Sequence, residues 1–463
     1  MTSAVPRAAV SPPPVQRRGT SLPLLGISLG YFMVLLDTTV LAVAEPDLAR
    51  SLGSSVAGLQ WAVTGYTAAF GGLLLSAGAV ADRFGAHRVF RAGIAVFGLG
   101  SLLSAFAPGL GSLVALRALL GVAAAACVPA SMAMIIRLFP EPAARARAVA
   151  VWAATSGAAM AAGPIVGGLL VELSGWRAVF LVNVPLALLA LVLTAGRALH
   201  CPRGERAVDW PSQLAACAAL GLATDAVIAL GSGSGAHSAW SAAAAVLAGA
   251  AFLRLERRSR NPVLSPAVLK APAMRPALLA GAAVNFTMSG ILFLLPLLFQ
   301  QTLHLTSVET GLAFLPMTLP TAFNPLLTGR IVARTGPWKP VLAGLGLLAT
   351  GGLVSGTAVL TGAPYPVLAV GLACAGFGVS FALPALTAAV VSGAPAGAGG
   401  AAGGLLNAVR QGGSTVGVGV LGSFLTTGGT AAGHGTAYAL LLCTGVCVAA
   451  GVSVSPHRIS RHR

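Results

Sequence analysis

Charge is what this chain has least of. Of 463 residues, 28 are Lys or Arg and 11 are Asp or Glu, so only 8% carry a formal charge. Soluble domains hold about a quarter charged residues, and a surface this poor in charge would not stay wetted. Acid is the scarcer sign, and none follows Glu309. Lysine is nearly absent, with Lys270 and Lys339 alone. The six cysteines (Cys127, Cys201, Cys217, Cys374, Cys443, Cys447) form no CxxC pair and no Cys/His cluster. That argues against a disulfide framework or a zinc site and leaves them as small apolar filler. No apolar leader opens the chain, because residues 1–20 are polar and Pro-rich with Arg7, Arg17 and Arg18, and they read as a disordered arm. There is no GxxxxGK[ST] loop to take a nucleotide and no HExxH metal motif.

What is present is apolar. The hydrophobic fraction is 56% and the mean hydropathy +0.87, the composition of a polytopic membrane protein. Apolar runs fall at 22–44, 56–80, 92–108, 111–135, 148–171, 178–196, 211–231, 239–253, 277–299, 308–329, 341–360, 366–391, 401–425 and 435–453. That is fourteen, of which 239–253 is short and Ala-rich. Without water in the bilayer core, each run must satisfy its own backbone as a helix, so the expected class is an all-α membrane protein. The 59 glycines suit close helix packing in lipid.

The net charge of +17 would suggest nucleic acid in a soluble protein. Here the cations sort by loop. If the N-terminus is inside, 24 of the 28 fall on the inner side, in seven clusters that run from Arg7, Arg17 and Arg18 to Arg458, Arg461 and Arg463. Arg50 and Arg177 fall outside, and Arg117 and Arg410 within runs. This is the positive-inside distribution, with both termini cytoplasmic, although the pair 211–253 could be dropped without changing the alternation. Trp61, Trp176, Trp210, Trp240 and Trp338 lie near run ends, as interfacial anchors do.

The segment from Gly78 to Gly93 echoes that from Gly329 to Gly344 at an offset of 251, matching Arg83 with Arg334 and Gly85 with Gly336. Gly121 and Pro129 recur as Gly376 and Pro384 at offset 255. A duplicated bundle around a central cavity is a transporter plan. Around these echoes stand Gly78-x-x-Ala81-Asp82-Arg83-x-Gly85, Arg117-x-x-x-Gly121 and Gly163-Pro164-x-x-Gly167-Gly168. With them come Leu36-Asp37-Thr38-Thr39-Val40 with Pro46, Trp176-Arg177-x-x-Phe180-x-x-Asn183-Val184-Pro185 and Asn407-x-x-Arg410-Gln411-Gly412-Gly413. In this order the motifs resemble the major facilitator superfamily, and within it the fourteen-span drug:proton antiporters. The resemblance implies two six-helix bundles, 21–200 and 271–455, an inserted helix pair with its linker at 201–270, and a tail at 456–463. It also implies a gating role for the loop of Gly78, Asp82, Arg83 and Gly85, and an antiport role for the helix of Gly163, Pro164, Gly167 and Gly168. The chain departs from the family pattern at Ala42, Glu45, Ala86, His87 and Leu120, which bears on substrate range and coupling.

A carboxylate inside a span is costly enough to be a functional candidate. Asp37 lies roughly 22 Å from the inner face, and Arg117, entering from outside, about 9 Å below the outer one. In a core of about 30 Å those depths coincide, so the two can pair across the cavity. The pair either exchanges a proton for substrate or only fixes helix packing. Asp82 can cap a helix or pair with nearby cations as a latch at the inner gate. Gly163-Pro164 should kink its helix, with Gly167 and Gly168 baring one face to the opposite bundle. Asp225 has no evident partner, and Glu45 is expected near the outer interface beside Arg50. Arg410 lies about 15 Å into its run, where it either attracts anionic groups or snorkels inward. Asn285, Gln300, Gln301, Asn324 and Asn407 either line a substrate path or bridge helices. Gly417-x-Gly419-x-x-Gly422 lies inside an apolar run and reads as a packing face, not a dinucleotide fingerprint.

The expected function is export of hydrophobic or amphipathic drug-like compounds in exchange for protons, from the plasma membrane of the cell, with no cofactor and the proton gradient as energy source. The expected partners are the bilayer, the small-molecule substrate and protons, with no nucleic acid and a monomeric chain. An uptake symporter for a small metabolite is the nearest alternative. A membrane-embedded enzyme is the remote one, since no acidic cluster or nucleophile–base pair stands at an inner face.

Overall fold

The computed structural model describes residues 21–196, 199, 201, 204, 209–259, 266–395, 398–427 and 432–454. The 1–20 arm and the 456–463 tail lie outside the described residues, as do Arg197, Arg203, Arg206 and Arg260 of the charge clusters. Each apolar run falls on helix, and no strand occurs among the described residues. The first six helices are α1 (Ser21–Leu52), α2 (Val56–Phe84), α3 (Ala86–Ala105), α4 (Leu110–Leu138), α5 (Pro142–Ser174) and α6 (Trp176–Leu193, broken at Val182). A pair follows, α7 (Trp210–Gly231) and α8 (Gly235–Arg258). Then come α9 (Met274–Thr302, π-helical from Leu298), α10 (Ser307–Ala313) and α11 (Leu315–Thr335). The chain ends on α12 (Trp338–Thr361), α13 (Tyr365–Gly393), α14 (Gly399–Thr427) and α15 (Ala432–Val454).

Among the described residues, eleven helices are long and apolar enough to cross a membrane, or twelve if the bent α2 counts as one span. That is fewer than the fourteen apolar runs. The difference lies in α11 and α14, which are 21 and 29 residues long but diluted in apolar side chains. Pro320, Pro325, Arg330 and Arg334 interrupt the first, and glycines fill much of the second. The short run at 239–253 belongs to a helix of 24 residues, so α8 is long enough to span. Of the tryptophans expected at the interface, Trp210 and Trp240 are exposed and Trp176 is buried. Its backbone N–H reaches Asp47 at 2.9 Å, and Arg177 lies over its ring at 4.4 Å.

The helix ends follow ordinary capping chemistry. Ser55 accepts from Gly58 N–H at the start of α2, and Thr306 with Glu309 forms a capping box on α10. Two apolar cores result. One joins α1–α6 with Phe286, Phe293, Val418 and Leu421, and the other joins α9–α15 with Ala42 of α1. The pair α7 and α8 pack on each other, and α7 lies against α2 and α14. Gln213 of α7 donates to the Gly72 carbonyl of α2, while Gly231 faces Ser423 of α14.

The sequence echo has a structural counterpart. Gly85 and Gly336 both end their helices at positive φ, +90° and +78°, where a side chain would be strained. A Cβ on Gly121 would strike the Tyr66 carbonyl of α2, and one on Gly376 the Met317 carbonyl of α11. Gly93 sits against the Ala123 carbonyl of α4, and Gly344 against the Gly378 carbonyl of α13. Equivalent helices thus approach through equivalent glycines. Pro129 and Pro384 interrupt the same helices in the two copies.

Candidate functional site

The densest polar constellation lies in the middle of the first core. Asp37 is 0% and Arg117 2% exposed, and Arg117 Nη1 donates to Asp37 Oδ2. The remaining groups are set by packing. Arg117 Nε donates to the Ala62 carbonyl at 3.0 Å, and the guanidinium lies 4.5 Å from the Tyr66 ring centroid. Tyr66 in turn donates its hydroxyl to the Val34 carbonyl at 3.3 Å. Asn183 Nδ2 donates to Asp37 Oδ1 at 3.0 Å and reaches Ser101 at 3.3 Å. Five helices (α1, α2, α3, α4 and α6) therefore meet on one ion pair. A buried pair of this kind costs desolvation that only such extra hydrogen bonds offset.

Glu45 departs from expectation. It is 3% exposed rather than interfacial, and Arg50 bonds Asp47 at 3.4 Å instead. The reason is helical phase: eight residues after Asp37, Glu45 returns to the same inward face of α1. Its Oε2 has no partner among the described residues.

The glycine face of α5 seats two neighbours. A Cβ on Gly163 or Gly167 would strike Thr39 or the Val40 carbonyl of α1, and one on Gly168 the Ser307 carbonyl of α10. From the other side, Gly311 of α10 closes on the Pro164 carbonyl. At that end of the bundle the two halves touch backbone to backbone. Gln300 Nε2 adds a bond to the Val43 carbonyl at 3.0 Å, and Gln60 Nε2 bonds to the Val418 and Gly419 carbonyls at 3.0 and 2.8 Å. Midway along the interface, Thr67 and Thr415 share a bond of 2.8 Å.

The opposite end, which carries the Arg-rich turns after α2 and α4, is open. A cavity of about 540 Å³ there is lined by Asp82, Pro129, Trp152, Asp209, Gly400 and Asn407, among others. Asp82 is exposed on its wall, and its carboxylate neither caps a helix nor pairs with a cation among the described residues. Its backbone carbonyl accepts from Gly204 at 2.7 Å. Arg83 is exposed, 5.7 Å from the Phe84 ring centroid. Gly85 abuts the Cys201 carbonyl, whereas Gly78 faces open space and supports no close approach.

The remaining candidates divide. Arg410 Nε donates to Asn285 Oδ1 at 3.1 Å and Nη1 to Asn407 Oδ1 at 2.8 Å, so the cation is held sideways and does not reach for an end of the membrane. Asn285 Nδ2 continues to Ser414 at 3.2 Å. Asn324 is a bridge, donating to Ser380 at 2.7 Å, as is Gln300, while Gln301 is exposed at the end of α9. Asp225 has found partners in the inserted pair, His237 at 2.6 Å and the Ser241 hydroxyl, away from the other candidates.

Sequence reasoning passed over Asn183, Tyr66 and Ser101 because polar groups without charge carry no penalty large enough to single them out. Asn183 did stand within a recognised motif. It also passed over Tyr31 and Trp152, whose rings stack at 4.0 Å and 6°.

The model of the Major Facilitator Superfamily matches residues 27–418. The chain is 38% identical over 458 residues to the puromycin resistance protein pur8 of Streptomyces alboniger, covering 94% of this chain and 88% of that one. It is 34% identical over 412 residues to the multidrug resistance protein Stp of Mycobacterium tuberculosis, covering 87% and 75%. Its fold is similar to that of a bacterial homologue of the human lysosomal transporter Spinster in an inward-facing, unoccupied conformation. The TM-score there is 0.69 at 17% identity, over 95% of this chain and 96% of that one. The match over most of its length and the all-helical fold establish that this chain belongs to the Major Facilitator Superfamily and is a membrane transporter rather than an enzyme.

Proposed function

We propose that the chain exports hydrophobic or amphipathic drug-like compounds in exchange for protons by alternating access. The observation that carries this reading is the buried Asp37–Arg117 pair, a charge couple at the junction of five helices where a proton changes the balance of the bundle. The resistance functions named for its relatives support drugs as the substrate class. In this reading Asp37 takes a proton from the outer side and its bond to Arg117 weakens. Arg117 stays fixed by the Ala62 carbonyl and the Tyr66 ring, so α1 is released from α4 and not the reverse. The proton then leaves on the inner side, the pair re-forms, and no cofactor takes part. Asp82, bare at the open mouth, is the latch of the closed state of that gate.

The same proposal counts fourteen crossings, with α11 and α14 added to the apolar twelve. Helix α11 packs on α13, and α14 packs on α9 and α2, with Pro320, Gly413, Gly417 and Gly422 buried. It divides the chain into bundles at 21–200 and 271–455 around the inserted pair. The Arg-rich mouth and both termini are cytoplasmic, in the plasma membrane, and the transporting unit is a monomer without nucleic acid.

Everted vesicles holding a proton gradient and a pH-sensitive dye test the coupling. Addition of an amphipathic drug to which the chain confers resistance should release protons from wild-type vesicles, and Asp37→Asn should abolish that release. Unchanged proton flux in the variant removes Asp37 from the mechanism.

A further inference from the structure

Arg410 lies mid-helix in α14 and makes no ion pair among the described residues, whereas Arg117 has Asp37. Two asparagine oxygens fix it, using Nε and one N–H of Nη1. The second N–H of Nη1 and both of Nη2 have no acceptor among the described residues. Its stem lies along Gly281 of α9. Tyr31 stacks flat on Trp152, and the indole Nε1 of Trp152 is buried with no acceptor among the described residues. Trp152 and Asn407, the latter bonded to Arg410, both line the cavity at the Arg-rich mouth. The cation and the aromatic pair thus come from opposite halves of the chain and are joined through Asn407 and Trp152 on the wall of one cavity.

Arg410 is half-buried, so its free N–H groups are open to a ligand or to water, and a cation within the membrane is costly without a counter-ion. An anion with two oxygens suits the free edge of a guanidinium, whose parallel N–H groups match a carboxylate fork. The adjoining indole and phenol favour a flat ring on the same molecule. We propose that Arg410, with the Trp152 N–H, binds the carboxylate of an aromatic amphipathic compound, its ring lying against the Tyr31–Trp152 wall. This rests on the export reading for the compound's passage through the membrane, but the binding step stands apart from it. The class of substrate is therefore narrowed to compounds with an anionic end, held between Arg410 of the second half and Trp152 of the first. The carboxylate Asp37 serves the first half. Because Asn285 and Asn407 take Arg410 from two sides, the cation is pre-oriented and loses little freedom when the ligand arrives.

The test uses the purified full chain in nanodiscs, with radiolabelled 2-naphthoate and its neutral isostere 2-naphthamide in equilibrium dialysis. Wild type should bind naphthoate about tenfold to a hundredfold more tightly than the amide, the range for hydrogen bonds to a charged group. Arg410→Gln should bring the two ligands to equal affinity without weakening the amide, and Arg410→Lys should restore part of the preference. Trp152→Phe keeps the stack and removes the N–H, and should lower the preference a few-fold, which a general loss of structure would not do selectively. Equal binding of both probes to wild type, no naphthoate binding, or a preference that survives Arg410→Gln overturns the proposal. Naphthoate binding without proton release in vesicles leaves this site standing and sinks the antiport reading instead.

Discussion

Cutting the ion pair from each side should give unequal results, and the geometry says by how much. Arg117→Met removes the charge-assisted bond to Asp37, the bond to the Ala62 carbonyl and the contact with the Tyr66 ring. Asp37 is then buried with one amide donor, Asn183, and loss of one partner of a buried pair costs about 3–5 kcal/mol. Asp37→Asn is milder. An amide oxygen still accepts from Nη1, and Asn183, whose Oδ1 is unpartnered, can turn to accept the new N–H. What is lost is the charge assistance, and Arg117 is left as a buried cation held by neutral acceptors alone, so the cost stays at the low end of the same range, about 3 kcal/mol. In the double variant the orphaned carboxylate is gone, so its cost should fall short of the sum by about 2 kcal/mol. Unfolding of the purified protein in mixed detergent micelles, followed through the four variants of the cycle, measures this. Additivity within about 0.5 kcal/mol would mean that the two groups are energetically independent, and the proposed coupling through their bond would fail with it.

Three further outcomes follow from local geometry. Gly85→Ala, at φ +90° and against the Cys201 carbonyl, should cost about 1–3 kcal/mol in the same unfolding assay, whereas Gly78→Ala, facing open space, should cost almost nothing. Gly168→Val should push α10 off α5 and lower drug resistance in an efflux-deficient host while the protein still reaches the membrane, as a membrane-fraction blot would verify; full resistance would show that the contact with Ser307 is dispensable. Glu141 caps α5 by accepting from Ala144 and Ala143 N–H at 2.7 and 3.0 Å, and these bonds, with Arg147 and Arg145 nearby, hold its carboxyl below the ordinary value. A depressed carboxyl stabilises the first turn at neutral pH and loses that effect as pH falls past the ordinary carboxylate range and through its own lower value. Protection of the Ala143 and Ala144 amides, the exchange rate relative to an unstructured peptide at the same pH, should therefore fall in acid in the wild type and be low at all pH in Glu141→Ala.

Much of the fold was legible because lipid allows few solutions. An apolar run with no water to bond must be a helix, and each run falls on helix, 308–329 being split between α10 and α11, although only eleven or twelve described helices are apolar enough to cross a membrane. Where reading failed, packing had overridden composition. Arg50 chose Asp47 over Glu45 because the phase of α1 turned Glu45 inward, and α11 tolerates prolines that hydropathy counts against it. The depth estimate for Asp37 and Arg117 succeeded since rise per residue is constant, and two charges at one level in a low dielectric have every reason to meet. No comparable rule pointed to Asn183 or to the Tyr31–Trp152 stack, which exist only because α1, α5 and α6 converge.

The sequence by itself determined the medium, the helices, the repeat and the level of the charged residues, because hydropathy, backbone satisfaction and helical rise act locally along the chain. Only the tertiary structure decided which polar groups are matched and which are left over. Asp37 finds Arg117 and Asn183, Asp225 finds His237 and Ser241, and Arg410 finds two amides and no anion. Partnering depends on where separate helices cross, a property of three-dimensional packing that no local signal encodes.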